Sequence, residues 1–294
     1  MKVRFFTLLL MLILTVNSVL AKEFYTCADS YDMSSKFAKY STNILGMNFI
    51  AKQVAKNIIK KELKAMVKGN IKVKLDSYSV FDLKKGIIKG MELSASDIVS
   101  EDVYVSQLNA KTLCDFNYIN YTKNPIEYKV PMPLDFTMAL SESDLNKSFF
   151  NEENDVYKDR LKQINLIMHD VLVTKKISAE IRRNRFYIIM NGYVPLIKIP
   201  VKVTVSSDIN VKNNQIMLND TLTRGLSKFV SSDTMNEIIN MVNPLEYTLN
   251  SFETTRDKII INNVKIIDNK IQINGIMVLG EQKKWTKIQK RCYL

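Results

Sequence analysis

One stretch of the chain has the hydrophobic spacing of an amphipathic helix. Between Asn43 and Val67, apolar residues recur at every third or fourth position, which places them on one helical face. They are Met47, Ile50, Ala51, Val54, Ala55, Ile58, Ile59, Leu63 and Met66. Ser41, Thr42 or Asn43 can cap the amino end of this helix, and Gly69 can end it. The pattern predicts a long helix around which the rest of the chain folds.

Much of the remaining sequence alternates between apolar and polar residues, as half-buried strands do. The alternation is clearest at 126–140, where Pro131 and Pro133 fall on the polar side and predict a sheet edge or a bend. Shorter strand-like segments fall at 71–83, 87–116, 161–190, 199–218 and 259–276. A short helix is predicted from Ser141, and a second helical region at 221–241. Since no linker rich in Pro, Gly or Ser divides the chain, one continuous α+β domain is predicted.

Two turns in this pattern are specific enough to predict hairpins. Asn213 and Asn214 separate two alternating segments, and paired asparagines suit a tight turn with positive φ. Asp268 and Asn269 occupy the equivalent place between the last two strands. Both hairpins therefore belong to the antiparallel meander that the alternation predicts.

The amino end has the layout of a secretory signal peptide. Lys2 and Arg4 precede an apolar run of 12 residues, Phe5 to Val16, and small residues then lead to Ala21. An uncleaved anchor is the alternative, but 12 residues at 1.5 Å each cannot cross a hydrocarbon core of about 30 Å. We therefore expect a signal peptide at 1–21, a single domain at 22–294, and secretion across the inner membrane to the periplasm or cell envelope.

The charge of the chain indicates which partners a secreted protein of this kind meets. The formal net charge is +12, and a secreted basic protein meets anionic lipid or wall polymer before nucleic acid. The lysines of the predicted helix favour either a surface-lying membrane helix or a core helix with a solvated lysine face. The basic carboxyl-terminal tail places an aromatic residue among cations, which suits an anionic membrane surface, although an edge strand protected by charges explains it nearly as well. The residues expected at the membrane surface are Lys284, Trp285, Lys287 and Arg291.

The search for catalytic chemistry gives a negative result. His169 is the single histidine and lies in an apolar string beside Asp170, which favours a half-buried strand position over a ligand or a base. No nucleotide-binding, zinc or nucleophile-elbow motif is present in the sequence. Cys27, Cys114 and Cys292 allow one disulfide at most, and a pair between Cys27 and Cys292 would join the two ends. We expect no enzyme activity, no cofactor and no metal.

Several segments together resemble a known family. The strings VKLDSYSVFDLKKGIIKGMELSASDI, FTMALSESDLNKSF, NNQIMLN and VKIIDNKIQINGIMV, together with the signal peptide and the long helix, are similar to the LmeA-like bacterial envelope family of phospholipid-binding proteins. The similarity covers most of residues 43–280. It implies a tubular lipid-binding (TULIP-like) fold, in which a strongly bent antiparallel sheet cradles the long helix and leaves an apolar groove. The lysine- and asparagine-rich composition and the basic tail depart from the family pattern.

The groove would be lined by one face of the helix and one face of the clearest strand, because acyl chains need apolar walls. The predicted lipid-binding residues are Met47, Ile50, Ala51, Val54, Ala55, Ile58, Met132, Leu134, Phe136 and Met138. A fully packed core without a cavity is the alternative. The predicted function is to hold or transfer phospholipid or another acyl lipid without catalysis. The alternative is a structural envelope module that binds anionic wall polymer or a protein partner through its basic surface. The sequence does not fix the lipid headgroup or the oligomeric state.

Overall fold

The computed structural model describes residues 25–36, 40, 47–100, 102–120, 123, 126–225, 230–252 and 257–280. Its helices include α1 (Met47–Met66), α2 (Val80–Lys85), α3 (Glu142–Ser148), α4 (Asp155–Ile167), α5 (Ser232–Met241) and α6 (Pro244–Asn250). The strands are β1 (Lys68–Asp76), β2 (Ile87–Ile88), β3 (Gly90–Ser100), β4 (Val103–Thr112), β5 (Asn117–Asn120), β6 (Glu127–Tyr128), β7 (Met132–Ser141), β8 (Val173–Arg182), β9 (Arg185–Tyr193), β10 (Pro200–Lys212), β11 (Gln215–Arg224), β12 (Lys258–Ile267) and β13 (Lys270–Leu279).

The strands form antiparallel sheets, which confirms the predicted α+β class. A six-stranded sheet has the order β1-β3-β4-β7-β13-β12, and a four-stranded sheet has the order β11-β10-β9-β8. A small third sheet contains β2, β5 and β6. After β7 the chain leaves the six-stranded sheet, forms α3, α4, the four-stranded sheet, α5 and α6, and then returns as β12 and β13. The four-stranded sheet with its helices is therefore an insertion into the larger sheet.

The inner faces of the two larger sheets and the helices between them share one apolar core. In β7, Met132, Leu134, Phe136, Met138 and Leu140 are buried at every second position, as the alternation predicts, and Pro133 on the other side is buried as well. The expected bend is also present, because the strand is interrupted between Tyr128 and Met132, around Pro131. The core of β7 is continued on its neighbours, where Ala110 of β4 and Gly275 of β13 lie directly opposite Phe136.

Helix α1 lies at the edge of the fold, so the prediction that the chain wraps around it is wrong. It packs against β1, the edge strand of the six-stranded sheet, and against α2. Of the apolar residues that define its predicted face, only Ala55 and Ile59 are buried. The centre of the molecule is filled by the sheets and by residues such as Leu145, Ile164 and Ile238 from the inserted helices. These helices cover the apolar sheet faces that α1 was expected to cover.

Three segments differ in secondary structure from the prediction. The expected strand at 71–83 ends at Asp76, and Val80–Lys85 form α2 instead, with Ser79 as its cap. The expected strand at 161–190 begins with the second half of α4, which Asn154 caps by accepting the Tyr157 N–H at 3.1 Å. His169 follows α4 in a turn and is exposed, so the half-buried strand position is wrong. In the region 221–241, β11 continues to Arg224 before α5 begins at Ser232. At 161–190 a local cap and buried residues at helical spacing outweigh an irregular alternation.

The amino-terminal segment is fixed to the small sheet by a disulfide between Cys27 and Cys114. The expected pairing of Cys27 with Cys292 is therefore wrong; Cys292 lies outside the described residues. Next to the bridge, the Tyr31 ring packs at 5.4 Å from the rings of Phe116 and Tyr118. These aromatic contacts place the segment beside Cys114, which explains the pairing.

Polar contacts continue this attachment along the segment. The buried Asp82 carboxylate accepts the Ser34 N–H at 2.6 Å, and Lys85 forms an ion pair with Asp32 at 2.8 Å. The hydrogen bond from Lys85 holds the pKa of the Asp32 carboxyl below its usual value. The segment is therefore fastened by a covalent bond, by aromatic packing and by charge.

We expect removal of the disulfide to destabilise the protein substantially. The bridge closes a chain separation of 87 residues, and bridges of this kind contribute about 2–5 kcal/mol by restricting the unfolded chain. A Cys27→Ser, Cys114→Ser variant should unfold at a lower denaturant concentration than the oxidised protein, and reductant should lower the midpoint of the oxidised protein alone. Equal midpoints for the oxidised protein and the variant would contradict this assignment.

Candidate functional site

The apolar residues of α1 fall along two neighbouring lines on the helix surface. Successive residues turn by about 100°, so Met47, Ile50 and Val54 follow one line along the helix. The other line contains Ala55 and Ile59, with Ala51 at its start. The two lines together form the single face that the sequence predicts. In the structure, one line packs against the protein and the other is exposed.

Only the second line packs against the protein. Ala55 and Ile59 are buried in the main core, and Ala51 packs at its margin. On the first line, Ile50 is 65% exposed and Val54 is 55% exposed, and Met47 is exposed as well. We call Met47, Ile50 and Val54 the α1 stripe. It is an apolar surface, about two helical turns long, that the described chain leaves uncovered.

The predicted strand residues lie in the interior. Met132, Leu134, Phe136 and Met138 are all buried and belong to the same core cluster as Ala55. They therefore share the main core with Ala55, and Ala51 packs at its margin. The expectation that the α1 stripe faces them is wrong, because the stripe is exposed and β7 lies three strands from β1. Ile58 is half-buried between the two lines.

The interior around Phe136 is closely packed against the neighbouring strand. A Cβ atom added to Gly275 would lie 2.9 Å from the Phe136 ring and 2.2 Å from the Ile260 carbonyl oxygen. The Phe136 ring thus occupies the space directly above Gly275. Of the predicted lining residues, Phe136 therefore acts here as a core residue.

Polar and basic side chains border the α1 stripe. Gln53, Asn57 and Lys61 are exposed along its outer side, at positions that neighbour Ile50 and Val54 on the helix surface. On the far side of the helix Lys52 forms an ion pair with Asp76 at 3.9 Å. An apolar stripe with amides and a cation along one side can bind a molecule that is apolar along its length and polar or anionic at one end.

The amino end of α1 is held by a buried amide. The Ser77 hydroxyl donates to the Asn48 side-chain oxygen at 2.8 Å, and Asn48 is buried although it is polar. Ser77 follows β1, so this bond fixes α1 across the end of the edge strand. The bond sets the rotation of the helix that leaves the α1 stripe outward.

A second exposed apolar segment was not predicted. It is the loop between β9 and β10, with the sequence Val194-Pro195-Leu196-Ile197-Lys198-Ile199. Leu196, Ile197 and Ile199 are all exposed. The available signal was a short apolar run that does not alternate with polar residues and contains a proline.

Other predicted features fall outside the described residues. These are the signal peptide at 1–21 and the expected membrane-surface residues Lys284, Trp285, Lys287 and Arg291. In the part of the chain that the structure describes, no helix has the length and apolar character needed to span a membrane. Within that same part, no three His, Cys, Asp or Glu side chains come together in a way that could hold a metal ion.

No family model, no curated protein and no solved structure matches this chain.

The packing of Phe136 over Gly275 can be tested by adding a single methyl group. Gly275→Ala should lower the free energy of unfolding by about 1–3 kcal/mol, because the Ile260 carbonyl and the Phe136 ring must both move. Gly90→Ala is the matched control in the same sheet, since its Cβ would meet only the Thr112 hydroxyl at 3.2 Å. Chemical denaturation of both variants measures the difference. A Gly275→Ala protein as stable as the control would show that the region is loosely packed.

Proposed function

We propose that this protein is a secreted or periplasmic phospholipid-binding protein that holds or transfers lipid without catalysis. The observation that supports the proposal is the α1 stripe, an exposed line of large apolar side chains on a helix whose other apolar line is packed on the core. A helix whose apolar face is only partly covered by the protein favours a second apolar partner. The net charge of +12 favours an anionic one.

A phospholipid suits the shape of this surface. The α1 stripe runs along the helix from Met47 to Val54, which is about 10 Å at 1.5 Å per residue. An acyl chain is a flexible apolar line that can lie along such a stripe, and burying each large aliphatic side chain fully contributes about 1.5–3 kcal/mol. The exposed Gln53, Asn57 and Lys61 border the stripe, where they can bind a phosphate headgroup.

The small side chains beside the stripe support a deeper path for the lipid. Ala51 lies between the exposed stripe and Ala55 of the main core, and small residues leave the least protein volume at such a border. In the proposed arrangement the acyl chain lies in the crease between α1 and the six-stranded sheet. A long helix beside an antiparallel sheet is the arrangement of TULIP-like proteins, and we include that likeness, with the LmeA-like family, in the proposal.

Replacing apolar side chains of the α1 stripe by carboxylates should remove the bound lipid. We expect Ile50→Asp with Val54→Asp to abolish phospholipid co-purification, because carboxylates cannot pack against an acyl chain. Stability should change little, because both residues are exposed. Phe49→Asp is the matched control: Phe49 is 66% exposed on the same helix but points away from the stripe. Native mass spectrometry and lipid extraction measure the bound lipid, and circular dichroism checks the fold.

Measuring the bound lipid at raised salt separates the proposal from the alternative, a basic module that binds anionic wall polymer. Lipid held by its acyl chain should remain bound in about 0.5 M salt, whereas contacts between exposed charges weaken as the Debye length falls below about 8 Å. Wild-type protein that carries no lipid and binds none of the added phospholipid would refute the proposal. Equal lipid content in the stripe variant and the Phe49→Asp control would also refute this location.

A further inference from the structure

The loop between β9 and β10 presents the most exposed large apolar side chain in the described part of the chain. Leu196 is 90% exposed, and Ile197 and Ile199 beside it are also exposed. We call residues 194–200 the β9–β10 tip. Three neighbouring aliphatic residues at a loop end are unfavourable in water, because each leaves apolar surface exposed that burial elsewhere would stabilise.

The backbone of the β9–β10 tip is closed on itself. The Val194 N–H donates to the Ile199 carbonyl at 3.1 Å, and the Lys198 N–H donates to the Val194 carbonyl at 2.8 Å. Proline at position 195 has no N–H to satisfy, and Tyr193 pairs with Pro200 at the base of the loop. Two hydrogen bonds therefore close the loop, and Pro195 adds no N–H, so fewer backbone groups need water than in an open loop.

A second pair of exposed apolar residues lies at the same end of the four-stranded sheet. Leu166 is 77% exposed at the end of α4, and Ile167 follows it. The neighbouring Asn165 fixes this end of the helix to the start of β8, by donating to the Thr174 carbonyl at 2.9 Å and accepting the Thr174 N–H. Val173 in turn pairs with Tyr193 at the base of the tip. The end of the sheet thus carries two apolar protrusions.

Three exposed lysines lie in or next to these apolar protrusions. Lys198 lies within the tip, Lys202 lies on β10 just after it, and Lys175 lies on β8 next to Thr174; all three are exposed. The Lys175 ammonium is 5.3 Å from the Tyr193 ring centroid. Asp170 is the exposed carboxylate in the turn before β8, and it is paired with His169 at 3.1 Å. An apolar end followed by lysines and a tyrosine is the order in which a protein meets acyl chains and then anionic headgroups.

We propose that this end of the four-stranded sheet docks on an anionic membrane surface, with Leu196 and Ile197 inserted among the lipid acyl chains. The shape and charge of this surface favour a membrane over a protein as its partner. A stable protein interface buries about 800 Å² on each partner, more than a few side chains on a protruding loop can supply, whereas insertion into a bilayer needs no complementary partner surface. The lysine positions match anionic headgroups in charge. The inference deepens the proposed function, since a protein that loads lipid must meet a membrane, but it concerns a different surface from the α1 stripe.

Vesicle flotation tests the docking surface with the full secreted chain. The probe is a vesicle of phosphatidylglycerol and phosphatidylcholine at about one to two, compared with phosphatidylcholine alone. Leu196→Asp with Ile197→Asp should lower the partition coefficient on the anionic vesicles by roughly tenfold or more, given the burial of two aliphatic side chains. Lys202→Glu should lower it on anionic vesicles and leave the phosphatidylcholine value unchanged. Val156→Asp is the matched control, because Val156 is exposed at the opposite end of α4 from Leu166.

The outcomes separate docking from lipid loading. The tip variant should lose vesicle binding and keep its co-purified lipid, whereas the α1 stripe variant should lose the lipid and keep vesicle binding. Circular dichroism establishes that each variant is folded. A wild-type protein that does not float with anionic vesicles, or a tip variant that floats as the Val156→Asp control does, overturns the proposal. A wild-type dimer that the tip variant converts to a monomer, seen by light scattering, also overturns it and assigns the tip to a second copy.

Discussion

The fold depends on the pairing of β7 with β13. These strands lie far apart in sequence yet pair over their whole length, from Met132 opposite Leu279 to Ser141 opposite Lys270. In the sheet order, this pairing is the single link between the strands of the first half of the described chain and the closing hairpin. Such a pairing must close a long loop before its contacts form, which makes it an unfavourable early step in folding. The buried stack of Phe136 over Gly275 supplies part of the packing that stabilises it.

The same pairing determines where the inserted sheet sits. The chain between β7 and β12 is fixed at both ends by one sheet, so the four-stranded sheet shares a core with it. The base of the β9–β10 tip is closely paired. Gly192 lets β9 approach β8 closely, since a Cβ there would lie 2.2 Å from the Val173 carbonyl oxygen. On the same β9, Tyr193 pairs with both Val173 and Pro200, so the tip begins and ends on paired strands.

Short-range patterns in the sequence predicted the strands and turns well. The alternation at 126–140 gives the buried face of β7, and the capping box between Ser141 and Asp144 is present at the start of α3. Both asparagine-containing hairpin turns have the positive φ values that their residues favour, for example 52° at Asn213 and 56° at Asn269. Each of these features is decided by residues a few positions apart, which is why the sequence suffices.

Other features that failed depend on contacts between distant residues. Nothing near Cys27 in sequence indicates that Tyr31 packs on Phe116, and it is this contact that brings Cys27 to Cys114. In the candidate site, Ala55 and the β7 residues belong to one apolar core, whereas the α1 stripe is exposed. The spacing of apolar residues tells which of them share a helix face. It does not tell how wide the surface opposite that face is.

The width of that surface explains why α1 keeps an exposed apolar stripe. Its packing partner is β1, whose inward residues are Ile71, Val73 and Leu75 and whose sheet continues on one side only, through β3. A helix on a central strand has sheet beneath both sides of its apolar face, whereas a helix on an edge strand has sheet beneath one. Ala55 and Ile59 therefore lie over the sheet, and Ile50 and Val54 project beyond its edge. The edge position that makes α1 a poor centre for the fold also leaves its apolar stripe exposed.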